Sequence, residues 1–190
     1  MADWITEAIE ANAAFLSRVD PERLSREPPT RRAVITCMDS RINLEAIGIP
    51  SFAADGHSDS RIAIIRTAGA RCPERSLFVS LFKADVEEIL VLGHTECALV
   101  AAHTEIASIV EVLRARVDGR DVDAFLDGIG ASSDEDISRW LGTIPGATEG
   151  VLAQMEAIRS LPFVSQEVAV RGLVYDVDTG VVHPVEEPAR

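Results

Sequence analysis

Short apolar runs alternate with longer amphipathic stretches along most of this 190-residue chain. Continuous or alternating apolar positions, bounded by glycine, proline and polar clusters, predict β-strands. The predicted strands cover residues 33–36, 62–65, 88–93, 168–177 and 181–183. Apolar positions at helical spacing predict helices between these strands. The predicted helices cover residues 3–19, 74–84, 97–117, 135–141 and 148–160, with a helical turn over residues 42–47.

This alternation of strands and helices predicts an α/β fold. Strands that are joined through helices pair in parallel, and the helices then cover both faces of the sheet. We expect a mostly parallel four-stranded sheet in the order 2-1-3-4. The turn Asp178-Thr179-Gly180 leads into the last predicted strand, which we expect as an antiparallel edge strand at the C-terminus. Residues 118–147 give little pattern beyond one short helix.

The N-terminal stretch differs from the rest of the chain. Residues 3–19 predict an amphipathic helix, and Pro21 and the Pro28-Pro29 pair end its pattern. We therefore divide the chain into an extended N-terminal helical arm over residues 1–30 and a single α/β domain over residues 31–190. Two packings fit the helix, because its apolar side can cover its own domain or contact a neighbouring subunit.

Composition and charge narrow the class of protein. An apolar fraction of 47% in 190 residues is enough for one folded domain with a sizeable core. The formal net charge of −13 disfavours binding to nucleic acid and to anionic membranes. No stretch approaches the roughly twenty apolar residues of a membrane span, and the N-terminus lacks the features of a secretory signal. Three cysteines do not form a disulfide framework in a chain of this size, so we expect a cytoplasmic protein.

Two short motifs carry the candidate chemistry. Cys37-Met38-Asp39-Ser40-Arg41 follows the first predicted strand, and His94-Thr95-Glu96-Cys97 follows the third. If these strands are neighbours, their carboxyl ends bring both motifs to the same crevice. The two thiolates of Cys37 and Cys97 and the imidazole of His94 are a typical zinc set with one coordination position open. An open position allows zinc to activate a water molecule.

Asp39 and Arg41 complete the predicted site. The carboxylate of Asp39 can accept a hydrogen bond from the zinc-bound water or hydroxide and orient this nucleophile. Arg41 can hold Asp39 ionised through a charge-assisted, bidentate pair. Without Arg41, Asp39 could turn inward and become the fourth zinc ligand, which would close the site. A switch between an aspartate-ligated and a water-ligated form is therefore a further hypothesis.

Together the two motifs resemble those of the β-class carbonic anhydrase family. Arg66-Thr67-Ala68-Gly69-Ala70 is similar to the glycine-containing segment that lies beside the active site in that family. Residues 170–180 resemble its C-terminal strand and turn. The resemblance runs over residues 31–185, which is most of the chain.

The resemblance implies a zinc lyase that interconverts carbon dioxide and bicarbonate. In the family's pattern Cys37, His94 and Cys97 take the metal-ligand positions, with one zinc ion per chain. Asp39 and Arg41 take the positions of the catalytic dyad. The resemblance also implies a homodimer or a larger assembly of dimers, with active sites near the subunit interface and an N-terminal helix that embraces the partner subunit.

Residues around the motifs also receive expected roles. By the resemblance, Gly69 brings its backbone close to the substrate, because a Cβ there would intrude, and Arg66 pairs with an acidic residue of the neighbouring chain. Glu96 is expected to be solvated or part of an interface, and Cys72 is expected to be an incidental thiol. His57 lies in a polar loop, where a solvated histidine is favoured over a proton shuttle.

Departures from the family's usual pattern keep other functions open. Thr67 stands where asparagine is usual, and Ala70 and Ala98 stand where glycine is found in relatives. A related branch hydrolyses carbon disulfide or carbonyl sulfide with the same zinc set, and parts of residues 134–141 and 161–164 resemble members near it. A third alternative is a zinc-binding protein without catalysis. We favour hydration of carbon dioxide, because it is the family's commonest activity.

Overall fold

The computed structural model describes residues 3–17, 31–49, 62–117 and 121–187. These residues contain one five-stranded sheet, whose strands are β1 Arg32–Cys37, β2 Ala63–Thr67, β3 Glu88–His94, β4 Ala169–Tyr175 and β5 Val182–Pro184. The helices are α1 Trp4–Leu16, α2 Glu74–Ala84, α3 Ala98–Arg116, α4 Val122–Gly128, α5 Asp134–Leu141 and α6 Ala147–Ser160. Two short 3-10 turns cover Glu45–Ile47 and Ala68–Ala70.

The order of strands in the sheet is β2-β1-β3-β4-β5. β1 runs parallel to both β2 and β3, and β3 runs parallel to β4. β5 pairs with β4 in antiparallel orientation. The predicted α/β fold, with its 2-1-3-4 order and its antiparallel C-terminal edge strand, is therefore confirmed.

One face of the sheet is covered by α2 and α6. Leu77 of α2 and Met155 and Ile158 of α6 are buried in the same apolar cluster as Ile35 and Val91 of the central strands. β1 is buried at every position after its first, which explains why its sequence is continuously apolar instead of alternating. The packing of helices on this face thus fixes the two strands that carry the candidate ligands.

The opposite face is covered differently. Residues 42–49, which include the first 3-10 turn, form an apolar cluster with β1, β3 and the first turn of α3. The buried members of this cluster include Ile42, Leu44, Ile49, Leu99, Val34 and Leu92. We predicted helices on both faces of the sheet, and on this face the cover consists of the first 3-10 turn and the first turn of α3. After the first motif the chain therefore returns to the sheet at Ile49.

The region with the weakest sequence pattern forms a small helical layer. α4 and α5 pack on α3 through a separate apolar cluster that includes Ile106, Leu126 and Ile137. α5 was predicted, whereas α4 was not. α4 has only seven residues and one buried side chain, so it presents no extended apolar period. Asp121 starts it by accepting a hydrogen bond from the amide of Ala124.

Helix α1 confirms the predicted N-terminal helix over its described part. Asp3 caps it, and none of its residues is buried. Trp4 is 84% exposed, and Ile5 and Ile9 are also exposed. Of the two packings that the sequence allowed, burial of this helix on its own domain is not seen among the residues that the structure describes. The rest of the predicted arm, residues 18–30, lies outside the described residues, as does the loop that contains His57. Within the described ranges, no helix is long and apolar enough to cross a membrane.

Candidate metal centre

Cys37, His94 and Cys97 lie where three elements meet. Cys37 ends β1, His94 ends β3, and Cys97 immediately precedes α3. β1 and β3 are adjacent parallel strands in which Thr36 pairs with Leu92, so both strands end at the same edge of the sheet. All three residues are buried, and their candidate ligand atoms lie within 4.8 Å of one another. The sheet brings the three predicted ligands into one group.

The imidazole of His94 presents a free acceptor to this group. Its Nδ1 lies 2.7 Å from the carbonyl oxygen of Thr95, which can only accept a hydrogen bond. We therefore assign the ring proton to Nδ1, which leaves a lone pair on Nε2. Nε2 is buried and has no hydrogen-bond partner among the described residues. Because an unsatisfied buried polar atom costs about 1–3 kcal/mol, the site fits a metal ion that would accept this lone pair.

The pKa values of the two cysteine thiols are shifted in opposite directions. The hydrogen bond from Cys97 lowers the pKa of Cys37, and backbone amides of Asp39 and Gly69 add to this effect. The same shared proton raises the pKa of Cys97, although two amides at the start of α3 act in the opposite direction. Their proximity thus favours the thiolate at Cys37 and the thiol at Cys97 in the absence of a metal ion. A divalent cation would displace the remaining proton, since zinc binds cysteine as the thiolate.

Asp39 and Arg41 form a close ion pair beside the ligand group. Arg41 Nη2 donates to Oδ2 of Asp39 at 2.9 Å, and Arg41 Nε donates to Oδ1 at 3.2 Å. The backbone amide of Arg41 also donates to Oδ1 at 2.9 Å. These contacts lower the pKa of Asp39 to about 2, chiefly through the hydrogen bond from the guanidinium. Asp39 is not a member of the ligand group in the part of the chain described, so its carboxylate is committed to Arg41.

The contact between Glu96 and Arg41 was not predicted from the sequence. The carboxylate of Glu96 accepts a hydrogen bond from Arg41 Nη1 at 2.8 Å, and the carbonyl oxygen of Glu96 accepts one from Arg41 Nη2 at 3.2 Å. Its side chain is 60% exposed, as the predicted solvated position requires. The pairing with Arg41 has no local signal, because the two residues are 55 positions apart. Only the position of Glu96 between two candidate ligands marks it in the sequence.

Arg66 holds the backbone of the first motif within its own chain. Its guanidinium donates to the carbonyl oxygens of Cys37 and Asp39, both at 3.3 Å, and to that of Ile42 at 3.2 Å. These contacts lie within the chain, and the expectation that Arg66 pairs with an acidic residue of a neighbouring chain stays a prediction. A guanidinium has several donors fixed in one plane, which allows it to hold successive carbonyls of a loop. Arg66 thus fixes the backbone that carries Cys37 and Asp39.

Two of the unusual residues, Thr67 and Ala70, lie at the end of β2 and in the turn that follows it. Gly69 has φ 61°, and a Cβ there would lie 2.5 Å from Cδ1 of Leu99. Ala70 follows with φ 57°, a left-handed conformation that costs a residue with a Cβ roughly 1–2 kcal/mol. Glycine at this second position would avoid that strain. Thr67 donates from its hydroxyl to the carbonyl of Arg71 at 2.6 Å and so closes the turn.

A small cavity adjoins the ligand group. It has a volume of about 10 Å³ and is lined by Gly69, His94 and Cys97 together with the apolar side chains of Ile144 and Val151. A volume of this size is close to that of one water-sized probe. The predicted proximity of Gly69 to the reacting centre is therefore compatible with its place in the fold.

The remaining candidate residues lie apart from this group. Cys72 is half-buried, and burial raises the pKa of its thiol to about 11. Its amide donates to the side chain of Gln154 at 3.0 Å. His103 forms a hydrogen bond with the hydroxyl of Thr143 at 3.1 Å, and His183 lies exposed on β5. None of these side chains belongs to the metal-ligand group found in the described residues.

Comparison with known proteins agrees with this geometry. The carbonic anhydrase family model matches residues 32–182, from the first strand of the sheet to the last. The chain belongs to the β-carbonic anhydrase family. The resemblance that the two motifs predicted is thereby confirmed, and the β-carbonic anhydrase fold accounts for the strand order.

Individual relatives of this family are similar at low identity. The putative carbonic anhydrase YvdA of Bacillus subtilis (strain 168) is 26% identical over 187 residues, which cover 93% of this chain and 88% of the relative. The carbon disulfide hydrolase of Acidianus sp. (strain A1-3) is 28% identical over 196 residues, covering 97% of this chain and 90% of the relative. The crystal structure of carbonic anhydrase from Streptococcus mutans is 25% identical with a TM-score of 0.70, covering 98% of this chain and 99% of that one. Family membership therefore does not by itself choose the substrate.

Proposed function

We propose that this protein catalyses the reversible hydration of carbon dioxide to bicarbonate, with one Zn²⁺ per chain held by Cys37, His94 and Cys97. The observation that carries the proposal is the buried group of these three residues, in which Nε2 of His94 lacks a partner among the described residues. Membership of the β-carbonic anhydrase family supports the same reaction. When bound, the ion would supply Lewis-acid activation of a water molecule.

Asp39 is proposed to orient this water molecule. The carboxylate is ionised throughout the neutral range, and Arg41 lowers its pKa further, to about 2. An ionised carboxylate can only accept hydrogen bonds, so it directs a water proton toward itself and leaves an oxygen lone pair free. Arg41 and its amide hold both carboxylate oxygens, which restrains the carboxylate from turning toward the ligand group.

Gly69 is proposed to lie beside the substrate. The cavity that it lines is small and mostly apolar, with Ile144 and Val151 facing His94 and Cys97. Carbon dioxide is a small linear molecule without a net charge. A surface of this kind suits such a molecule better than a charged or bulky one.

The protein is further proposed to work as a homodimer or a larger homo-oligomer, with residues 1–30 as an arm on the partner subunit. Support comes from α1, which exposes Trp4, Ile5 and Ile9 and buries none of its residues on its own domain. Exposed apolar side chains grouped on one helix are characteristic of an interaction surface. Analytical ultracentrifugation of the full chain and of a Trp4→Glu/Ile9→Glu variant tests this proposal, since only the variant should sediment as a monomer.

The test of the catalytic proposal is stopped-flow hydration of carbon dioxide from neutral to alkaline pH, on protein with one zinc ion per chain confirmed by metal analysis. Zinc-dependent turnover is expected, and it should be lost on chelation and recovered on readdition of zinc. Fully zinc-loaded protein without turnover at any pH would contradict the proposal and favour a closed, non-catalytic site.

A second candidate function is hydrolysis of carbon disulfide or carbonyl sulfide. It is favoured by the carbon disulfide hydrolase of Acidianus sp., to which the chain is 28% identical over nearly its whole length. The same activated water would attack the carbon of either linear molecule. Zinc-dependent release of sulfide from these gases, without hydration of carbon dioxide, would replace the first proposal by this one.

A further inference from the structure

Arg41 is held from two sides. Its Nε and Nη2 donate to the carboxylate of Asp39. On the other side Nη1 donates to the carboxylate of Glu96 at 2.8 Å, and Nη2 reaches the carbonyl oxygen of Glu96 at 3.2 Å. All three guanidinium nitrogens therefore have an acceptor from one of two acidic residues.

The contact with Glu96 matters because Arg41 is not buried. Its side chain is 45% exposed, against 21% for that of Asp39. An exposed ion pair held at one edge only can swing as a unit, and such pairs contribute little on their own. Because the guanidinium is rigid and planar, acceptors at two of its edges fix its plane. Contact with Glu96 thus sets the orientation in which Arg41 meets Asp39.

The backbone of Glu96 is adapted to this contact. Glu96 has φ 53°, a left-handed conformation that is uncommon for a residue other than glycine, asparagine or aspartate. Such conformations cost free energy and concentrate at functional sites, where the surrounding structure imposes them. The turn lies between His94 and Cys97, and it places the carbonyl and the carboxylate of Glu96 on the same guanidinium.

We infer that Glu96 is a positioning residue, whose carboxylate anchors Arg41 so that both oxygens of Asp39 stay on the guanidinium. The inference rests on the proposed function, because it gives the Asp39–Arg41 pair its importance in that reaction. The carboxylate of Glu96 acts through Arg41, with which it forms its ion pair. This carboxylate is therefore expected to influence turnover more than substrate binding.

The chain contains a matched control for this contact. Glu88, at the start of β3, forms an exposed ion pair with Arg32 at 2.7 Å. The side chains of Arg32 and Glu88 are 62% and 58% exposed, and those of Arg41 and Glu96 are 45% and 60% exposed. The Glu88 pair lies at the opposite end of the strand from His94. A Glu88→Ala variant thus removes the same kind of contact without touching the candidate site.

The first readout is the side chain of Arg41 itself. In ¹⁵N NMR spectra of the full chain, the Nε–Hε signal of Arg41 is assigned by its absence in Arg41→Lys. We expect slow solvent exchange of this proton in the unmodified protein, in Glu88→Ala and in Glu96→Gln, which keeps an acceptor of the same reach. Exchange should be faster in Glu96→Ala. If Glu96→Ala disturbs the left-handed turn, Glu96→Gly removes the carboxylate while suiting that backbone.

The second readout is kinetics on zinc-loaded protein. Loss of the anchor should lower kcat about two- to fivefold, the range that corresponds to an exposed ion pair, with KM unchanged. Glu96→Gln should recover most of this loss, and Glu88→Ala should show none. Unchanged kcat in both Glu96→Ala and Glu96→Gly, or unchanged exchange of the Arg41 proton, would overturn the inference. If the unmodified protein does not hydrate carbon dioxide, the proposed function fails separately, and the NMR comparison with sulfide release as the kinetic assay still decides the role of Glu96.

Discussion

The two ends of strand β3 use similar residues with different consequences. At its start, Glu88 forms an exposed ion pair with Arg32. At its end, His94 is buried in the ligand group, and Glu96 forms an ion pair of similar length and exposure with Arg41. The first pair borders solvent, whereas the second holds the guanidinium that binds Asp39. We therefore expect the importance of an ion pair to depend on what it orients more than on its own length or exposure.

The largest effect is expected from the loss of a candidate metal ligand. Cys37→Ser replaces a thiolate by a hydroxyl that is a poor zinc ligand at neutral pH. We expect zinc affinity to fall by more than about 100-fold, since residues that merely support ligands already account for about 10–100-fold. Metal analysis after dialysis against a chelator measures this loss, with Cys72→Ser as the control that keeps its zinc. Full zinc occupancy in Cys37→Ser would contradict the assigned ligand set.

Removing the negative charge of Asp39 should have the next largest effect. Asp39→Asn is expected to keep zinc but to lower kcat/KM for hydration of carbon dioxide by about 100-fold or more, because a positioned proton acceptor contributes about 10²–10⁴-fold. Asp123→Asn serves as the control, since Asp123 is an exposed partner of Arg114 far along the chain. Activity of Asp39→Asn equal to that of the unmodified protein would show that Asp39 does not orient the nucleophile.

Loss of a hydrogen bond just beyond β3 should have a smaller effect, which is expected on the free energy of unfolding. The hydroxyl of Thr95 accepts from the amide of Val177 at 3.0 Å, and valine at position 95 would keep the shape but leave that amide unpaired. Thr95→Val is therefore expected to lower the free energy of unfolding by about 1 kcal/mol. Urea denaturation measures this value. Thr179→Val removes a comparable but exposed contact to Val181 and should cost less, so equal losses in the two variants would contradict this interpretation.

Loss of the ion pair at the start of β3 should have the smallest effect. Glu88→Ala removes the exposed ion pair with Arg32 and is expected to change the free energy of unfolding by no more than about 0.5 kcal/mol. Zinc content and turnover should not change. The same denaturation and kinetic measurements test this expectation. A loss of turnover in this variant would remove the distinction between the two ends of the strand.

Local patterns in the sequence predicted most of the helices and strands of the fold. The apolar runs of β1 and β3 and the helical spacing of α2, α3 and α6 are repeated over several residues, and such repetition can be recognised along the chain. α4 escaped recognition because its seven residues offer a single buried side chain. The packing of α1 was left open for a different reason: an amphipathic pattern indicates that a face will be covered, but it does not name the surface that covers it.

The sequence by itself determined where the strands lie and the residue types of the Cys37, His94 and Cys97 group, because these follow from local periodicity and from motifs at strand ends. The 2-1-3-4 order was an expectation about the tertiary structure, and the sheet confirms it. Only the tertiary structure decided that Arg41 contacts Glu96 and that Arg66 holds the loop of Cys37. Such contacts join residues 24 to 55 positions apart, and the register between β1, β2 and β3 sets which of them meet. The hydrophobic pattern helps to set that register, but which side chains then meet across strands depends on how the whole sheet packs.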